Sequence, residues 1–195
     1  MIWNVNAALA AVAAIAAVVA PVALGPGVAE ADPAQVLVVG DSLAVGIRPF
    51  LREMIANREV TFDAKAGRTT PQGMEALRLE LAQYAPQTVV ISLGTNDGSD
   101  PDVFADRVHR TLREVPPGAC VVWPAIVRPP RKGEYAALNR VLRAIARQDP
   151  RLTVVPWDRM VHKGTVRLRD GIHPTVAGYR FRAYVIAAAV QRGCG

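Results

Sequence analysis

Reactive side chains are scarce in this chain: 195 residues hold two Cys, at 120 and 194, and three His. There is no C-x-x-C and the His are scattered, so the ligand count for a zinc site is missing, and no metal is expected. G-x-G-x-x-G, the Walker A pattern and H-E-x-x-H are all absent, which removes support for dinucleotide, P-loop and zinc-protease chemistry. Aromatic residues make up only 6% of the chain. No stacking residues interleave with a basic run, so nucleic acid is not an expected partner. G-x-S-x-G, the nucleophile turn of the larger α/β-hydrolase class, is missing too.

Charge is absent from the first 29 residues and is basic overall, with 23 Lys+Arg against 17 Asp+Glu. Residues 7–28 are almost entirely Ala, Val, Leu, Ile, Pro and Gly, and "VAEADP" places Ala29 and Ala31 in a small-x-small cleavage pattern. Residues 1–31 therefore read as a signal peptide. The stretch "MIWNVNAA" lacks Lys and Arg, so the alternatives are an upstream start or an uncleaved N-terminal anchor interrupted by Pro21 and Pro26. Either way the expected location is secreted or in the cell envelope, with membrane contact only through an uncleaved leader. An oxidising compartment favours a bridge between Cys120 and Cys194, although a reactive thiol stays open on sequence grounds.

From residue 32 onward the composition is that of one globular domain, with no repeat, linker or low-complexity segment. Short continuous apolar runs, "QVLVV" (35–39), "VTFDA" (60–64), "TVVISL" (88–93), "CVVWPAI" (120–126) and "LTVVPW" (152–157), read as buried parallel strands. Helical patterns lie between them. One carries Ala137, Leu138, Val141, Leu142, Ile145 and Ala146 on a single stripe, and the last, from Thr175 to about Gln191, is expected to bury Ala177, Phe181, Tyr184, Val185 and Ala188. Alternation over five units predicts a three-layer α/β/α sandwich.

In an open parallel sheet, ligands bind beyond the carboxyl ends of the strands. The residues that follow the strands are few: Asp41 and Ser42 after the first, Gly67 and Arg68 after the second, "GTND" (94–97) after the third, "VRPPRKG" after the fourth, and "RDGIHPT" farther on after the fifth. Covalent acyl transfer needs a nucleophile, a base, a group that orients the base and donors for the oxyanion. Ser42 can supply the first, His173 the second and Asp170 the third. The Ser42 and Gly67 amides and the Asn96 side chain can supply the donors. Singly, each residue also reads as a helix cap or a turn. Arriving together at one sheet edge, they read as a site.

Gly40-Asp41-Ser42-Leu43, Gly67, Gly94-Thr95-Asn96-Asp97 and Asp170-Gly171-Ile172-His173 resemble, in order, the four motif blocks of the SGNH (GDSL-type) hydrolases. The resemblance covers residues 35–192. It implies a flavodoxin-like sheet of strand order 2-1-3-4-5, a Ser42–His173–Asp170 triad, an oxyanion hole of Ser42, Gly67 and Asn96, and no cofactor. The expected activity is that of a serine esterase on a small-molecule or glycan ester. The alternatives are an O-acyltransferase acting on a cell-wall or surface glycan and a non-catalytic binding domain. A monomer is expected. Arg128, Arg131 and Lys132, with Arg68 beside Gly67, are expected at the rim of the cleft, where they would favour anionic esters.

Overall fold

In a computed structural model, Met1 and residues 35–194 are described. The leader expected over residues 1–31 therefore lies, save for Met1, outside the described residues. A five-stranded sheet runs through the domain in the order β2-β1-β3-β4-β5. Its strands are β1 (Val36–Gly40), β2 (Val60–Ala64), β3 (Thr88–Ser92), β4 (Cys120–Pro124) and β5 (Leu152–Val155), and every neighbouring pair is parallel. The helices are α1 (Ser42–Met54), α2 (Thr70–Leu81), α3 (Pro101–Glu114), α4 (Ala136–Ala146), α5 (Trp157–His162) and α6 (Val176–Arg192).

The period-two alternation of a strand explains the three layers. Leu37 and Val39 of β1 join Leu77 of α2, Phe104 and Val108 of α3, and Leu138 and Leu142 of α4 in one cluster. Val36 and Val38 join Ala44, Ile47 and Leu51 of α1 and Ala183, Ile186 and Val190 of α6 in another. The central strands are apolar at nearly every position because both of their faces are covered. Three strands, β3, β4 and β5, end earlier than their apolar runs. Pro156 cannot extend β5 because it has no N–H, and Leu93 leads into Gly94, whose φ of +105° turns the chain out of the sheet.

The expectation for α6 needs correction. Its buried side comprises Gly178, Arg182, Ala183, Ile186, Ala187, Ala189 and Val190, whereas Tyr184 is exposed. The helix is rotated so that a charged residue faces inward. The Arg182 guanidinium lies 4.7 Å from the centre of the buried Trp157 ring and donates from Nη2 to Ser92 Oγ at 3.2 Å. Stacking on an indole face offsets part of the cost of burying that cation. Helix α5, also unanticipated, supplies Trp157.

Cys120, at the start of β4, is bridged to Cys194 beyond α6, with the two Cα atoms 5.1 Å apart. The cross-link closes a long loop that holds the end of the C-terminal helix to the start of β4.

Candidate active site

Four turns meet at the carboxyl end of β1 and β3. Asp41 leaves β1 and caps α1, its Oδ1 accepting the Leu43 N–H at 2.9 Å. That cap starts the helix at Ser42, whose N–H belongs to the first turn and has no intrahelical acceptor. Asp41 is completely buried, and burial pushes its carboxyl pKa up, opposed by the Leu43 N–H and the nearby Arg182 cation. The same burial pulls Arg182 down to about 10. Nε and Nη1 of Arg182 have no hydrogen-bond partner among the described residues.

The His segment is shaped by its own turn. An antiparallel bridge pairs Leu168 with Pro174, and Arg169 N–H donates to the His173 carbonyl at 2.8 Å. Inside that loop Asp170 Oδ1 accepts from the backbone N–H of His173 at 2.8 Å and of Ile172 at 3.0 Å. Its Oδ2 lies 2.7 Å from His173 Nδ1, and His173 Nε2 lies 2.8 Å from Ser42 Oγ. The His173 side chain and these backbone N–H groups hold the Asp170 carboxyl well below the usual carboxylate range. An ionised carboxylate only accepts, so Nδ1 carries the imidazole proton and Nε2 accepts from the Ser42 hydroxyl. This polarity lets the imidazole take the Ser42 proton.

The donor side is built on the two remaining turns. Gly67 adopts φ +77°, and a Cβ there would meet nothing within 4 Å, so the residue is glycine for its backbone conformation. Asn96 Nδ2 donates to the Arg68 carbonyl at 3.1 Å and lies a long 3.5 Å from Asp41 Oδ2. One amide hydrogen is fixed by Arg68 while the other makes only this weak contact, leaving it for a ligand oxygen. Beside the Gly67 turn is a cleft of about 320 Å³ lined by Lys65, Ala66, Gly67, Arg68 and Gln72. Other hollows, between α2 and α3 and between β5 and α6, are larger; neither they nor this cleft is lined by Ser42, His173 or Asp170, so volume does not mark the site, and the cleft is singled out by Gly67 alone.

Of the four expected rim cations, Arg128 is placed away from the cleft, while Arg68 lines it with its charge paired to Asp63. Arg128 is only 2% exposed, and its guanidinium is turned onto the backbone of the 94–99 turn, because inward-facing carbonyls there offer acceptors that water would otherwise supply. Arg68 turns back onto β2, donating to the Asp63 carbonyl at 2.6 Å and to Asp63 Oδ1 at 2.7 Å. Arg131 and Lys132 are exposed, and Arg131 Nη2 donates to the Asp170 carbonyl at 3.4 Å. Lys65 lines the cleft and had not been singled out; its position directly after β2 was the available signal.

The GDSL-like lipase/acylhydrolase family matches residues 38–181. The chain belongs to that family. Among curated relatives it is 28% identical over 158 residues to the peptidoglycan O-acetyltransferase OatA of Listeria monocytogenes, covering 77% of this chain and 23% of that protein. It thus spans about a quarter of the relative's length. Among solved structures, the C-terminal catalytic domain of Streptococcus pneumoniae peptidoglycan O-acetyltransferase A superposes with a TM-score of 0.68 at 23% identity, covering 83% of this chain and 94% of that one. TesA superposes with a TM-score of 0.67 at 27% identity, covering 81% and 98% respectively. As a family member the chain has the five-stranded parallel sheet with the expected order. No helix among the described residues is long and apolar enough to cross a membrane.

Proposed function

We propose that this chain is an exported serine esterase that forms an acyl-enzyme on Ser42 with short acyl esters, including those carried by cell-surface glycans. The observation that carries the reading is the unbroken relay from Ser42 Oγ through His173 to Asp170, at 2.8 and 2.7 Å. His173 takes the hydroxyl proton as Ser42 attacks the ester carbonyl. The tetrahedral oxyanion accepts from the Ser42 and Gly67 amides and from Asn96 Nδ2. His173 then protonates the departing alcohol, and water repeats the sequence on the acyl-enzyme. Asp170 holds the ring in the productive tautomer and favours the imidazolium that forms.

A second reading keeps the acyl-enzyme and changes the acceptor from water to a sugar hydroxyl. It is favoured by the similarity to a protein named a peptidoglycan O-acetyltransferase. An envelope location fits both readings, as does the leader pattern of residues 1–31. The partially exposed Asp170 and His173 side chains leave the site accessible to a bulky glycan. The test gives the purified protein aryl esters of graded chain length, with and without glycan acceptors, and separates free acid from acylated sugar by mass spectrometry. Free acid as the main product in the presence of acceptor supports the esterase. Acylated sugar in its place supports the transferase, and neither product overturns both.

A further inference from the structure

We propose that Arg128 is the positioning residue for Asn96: by gathering the backbone carbonyls on both sides of Asn96 it fixes the direction of the side-chain amide that meets the oxyanion. The inference rests on the esterase reading for the role of Asn96, but the clamp itself is a matter of the turn's geometry.

Between the end of β3 and the start of α3 the 94–99 turn has little internal support. Asp97 N–H donates to the Gly94 carbonyl at 3.2 Å, and the other carbonyls need partners from elsewhere. Arg128 supplies them. Its Nη1 donates to the carbonyls of Asp97, of Thr95 at 3.4 Å and of Gly94 at 3.5 Å. Its Nη2 donates to the Gly98 carbonyl at 3.3 Å and to Ser99 Oγ at 3.0 Å. From the other side, Nη2 and Nε reach the Glu134 and Gly133 carbonyls at 2.9 and 3.0 Å. Thr95 and Asp97, the two neighbours of Asn96, are thus both held by one nitrogen.

A planar guanidinium with five donors in a fixed fork can serve several acceptors at once, which a flexible ammonium with three donors cannot. The packing is close as well. Gly133 has φ +84°, and a Cβ there would collide with Ser99 Oγ, so the clamped turn and the loop that follows Arg128 meet without room for a side chain. The base of the clamp is itself tied. Ile126, two residues earlier, is bound through both its N–H and its carbonyl by the buried Asn139 amide of α4, at 2.7 and 2.8 Å. Position is therefore transmitted from the helical layer through Ile126 and Arg128 to Asn96. Misplacing a catalytic group by about 1 Å can cost on the order of a hundredfold in rate.

The test is a double-mutant cycle on the full chain with an aryl acetate, using Arg128→Lys and Asn96→Ala singly and together. Arg128→Lys is expected to lower kcat about ten- to a hundredfold with KM nearly unchanged, and to cost almost nothing further in the Asn96→Ala background. Multiplying losses, or a change in KM alone, would overturn the proposal. Ser99→Ala removes one acceptor and is the milder variant should Arg128→Lys fold poorly; its several-fold loss should vanish in the same background. Independently of turnover, the shift difference between the two Asn96 side-chain N–H resonances, altered from that of a free amide by the bond to Arg68, should move toward the free-amide value in Arg128→Lys. Unchanged resonances would overturn the positioning role. Altered resonances with an Asn96→Ala enzyme of full activity would keep the clamp and instead remove the esterase reading of Asn96.

Discussion

Asp97 accepts the backbone N–H of Thr70 at 2.8 Å, and so joins the turn that bears Asn96 to the start of the helix behind Gly67. Its second oxygen lies 3.2 Å from Arg107 Nη1, close enough for an ion pair although the angle is too poor for a directed hydrogen bond. Both candidate oxyanion turns thus hang on one buried carboxylate. Asp97→Ala should lower thermal stability, since a buried N–H left unpaired costs about 1–3 kcal/mol. It should also reduce kcat with little change in KM. A melting curve and steady-state kinetics on the same sample check both, and loss of stability alone would mean that the two turns are held independently.

The two acidic residues nearest Ser42 and His173 should respond to pH with opposite signs. Asp170 is held below its ordinary value of 3.8, chiefly by the His173 side chain, so its contribution to stability is full above that value and is lost as pH falls through the lower native one. Asp170→Asn should therefore be less stable than the parent near neutrality and converge with it in strong acid. Asp41 is raised from 3.8 by burial, so its ionisation opposes folding as pH rises from 3.8 through the raised native value. Across that interval the stability of Asp41→Asn should change in its favour relative to the parent. Melting temperatures of both variants from strong acid to neutrality check the pair, and parallel curves would contradict it.

Reduction of Cys120–Cys194 releases a constraint spanning 74 residues of sequence. The chain-entropy argument assigns such a closure about 4 kcal/mol, less any native-state strain. Reduced protein should melt at a lower temperature while keeping Ser42-dependent activity, because neither Cys touches the triad. Two titratable thiols in the native, non-reduced protein would contradict the bridge.

Substrate charge should be read by the exposed cations rather than by Arg128 or Arg68. Replacing Lys65, Arg131 and Lys132 together with Gln should raise KM for an anionic ester and leave a neutral short-chain aryl ester nearly unchanged. Added salt should narrow the difference, since the Debye length is about 10 Å at 0.1 M. Equal effects on both esters, or none on either, would make these residues an ordinary solvated surface.

The sheet, its order and the approach of Ser42 to His173 were legible because continuous apolar strands and turn residues are local signals that the parallel topology then brings together. The fate of individual cations was not. Arg128 and Arg182 look in sequence like any surface Arg, and only the folded backbone reveals that unpaired carbonyls and an indole face await them. The face of α6 was misread for the same reason: in an Ala-rich helix the small residues mark either side equally, and an inward charge contradicts the apolar stripe. The turn that presents His173 depends on the bridge between Leu168 and Pro174, which no periodicity announces.

The proposed function requires Ser42 to carry the acyl group. Rapid-quench peptide mapping during turnover of an aryl acetate tests it most directly. One acetyl group is expected on the peptide containing Ser42, appearing in a burst in the parent and absent from Ser42→Ala. Acetyl on a different peptide, or undiminished turnover by Ser42→Ala, would contradict it.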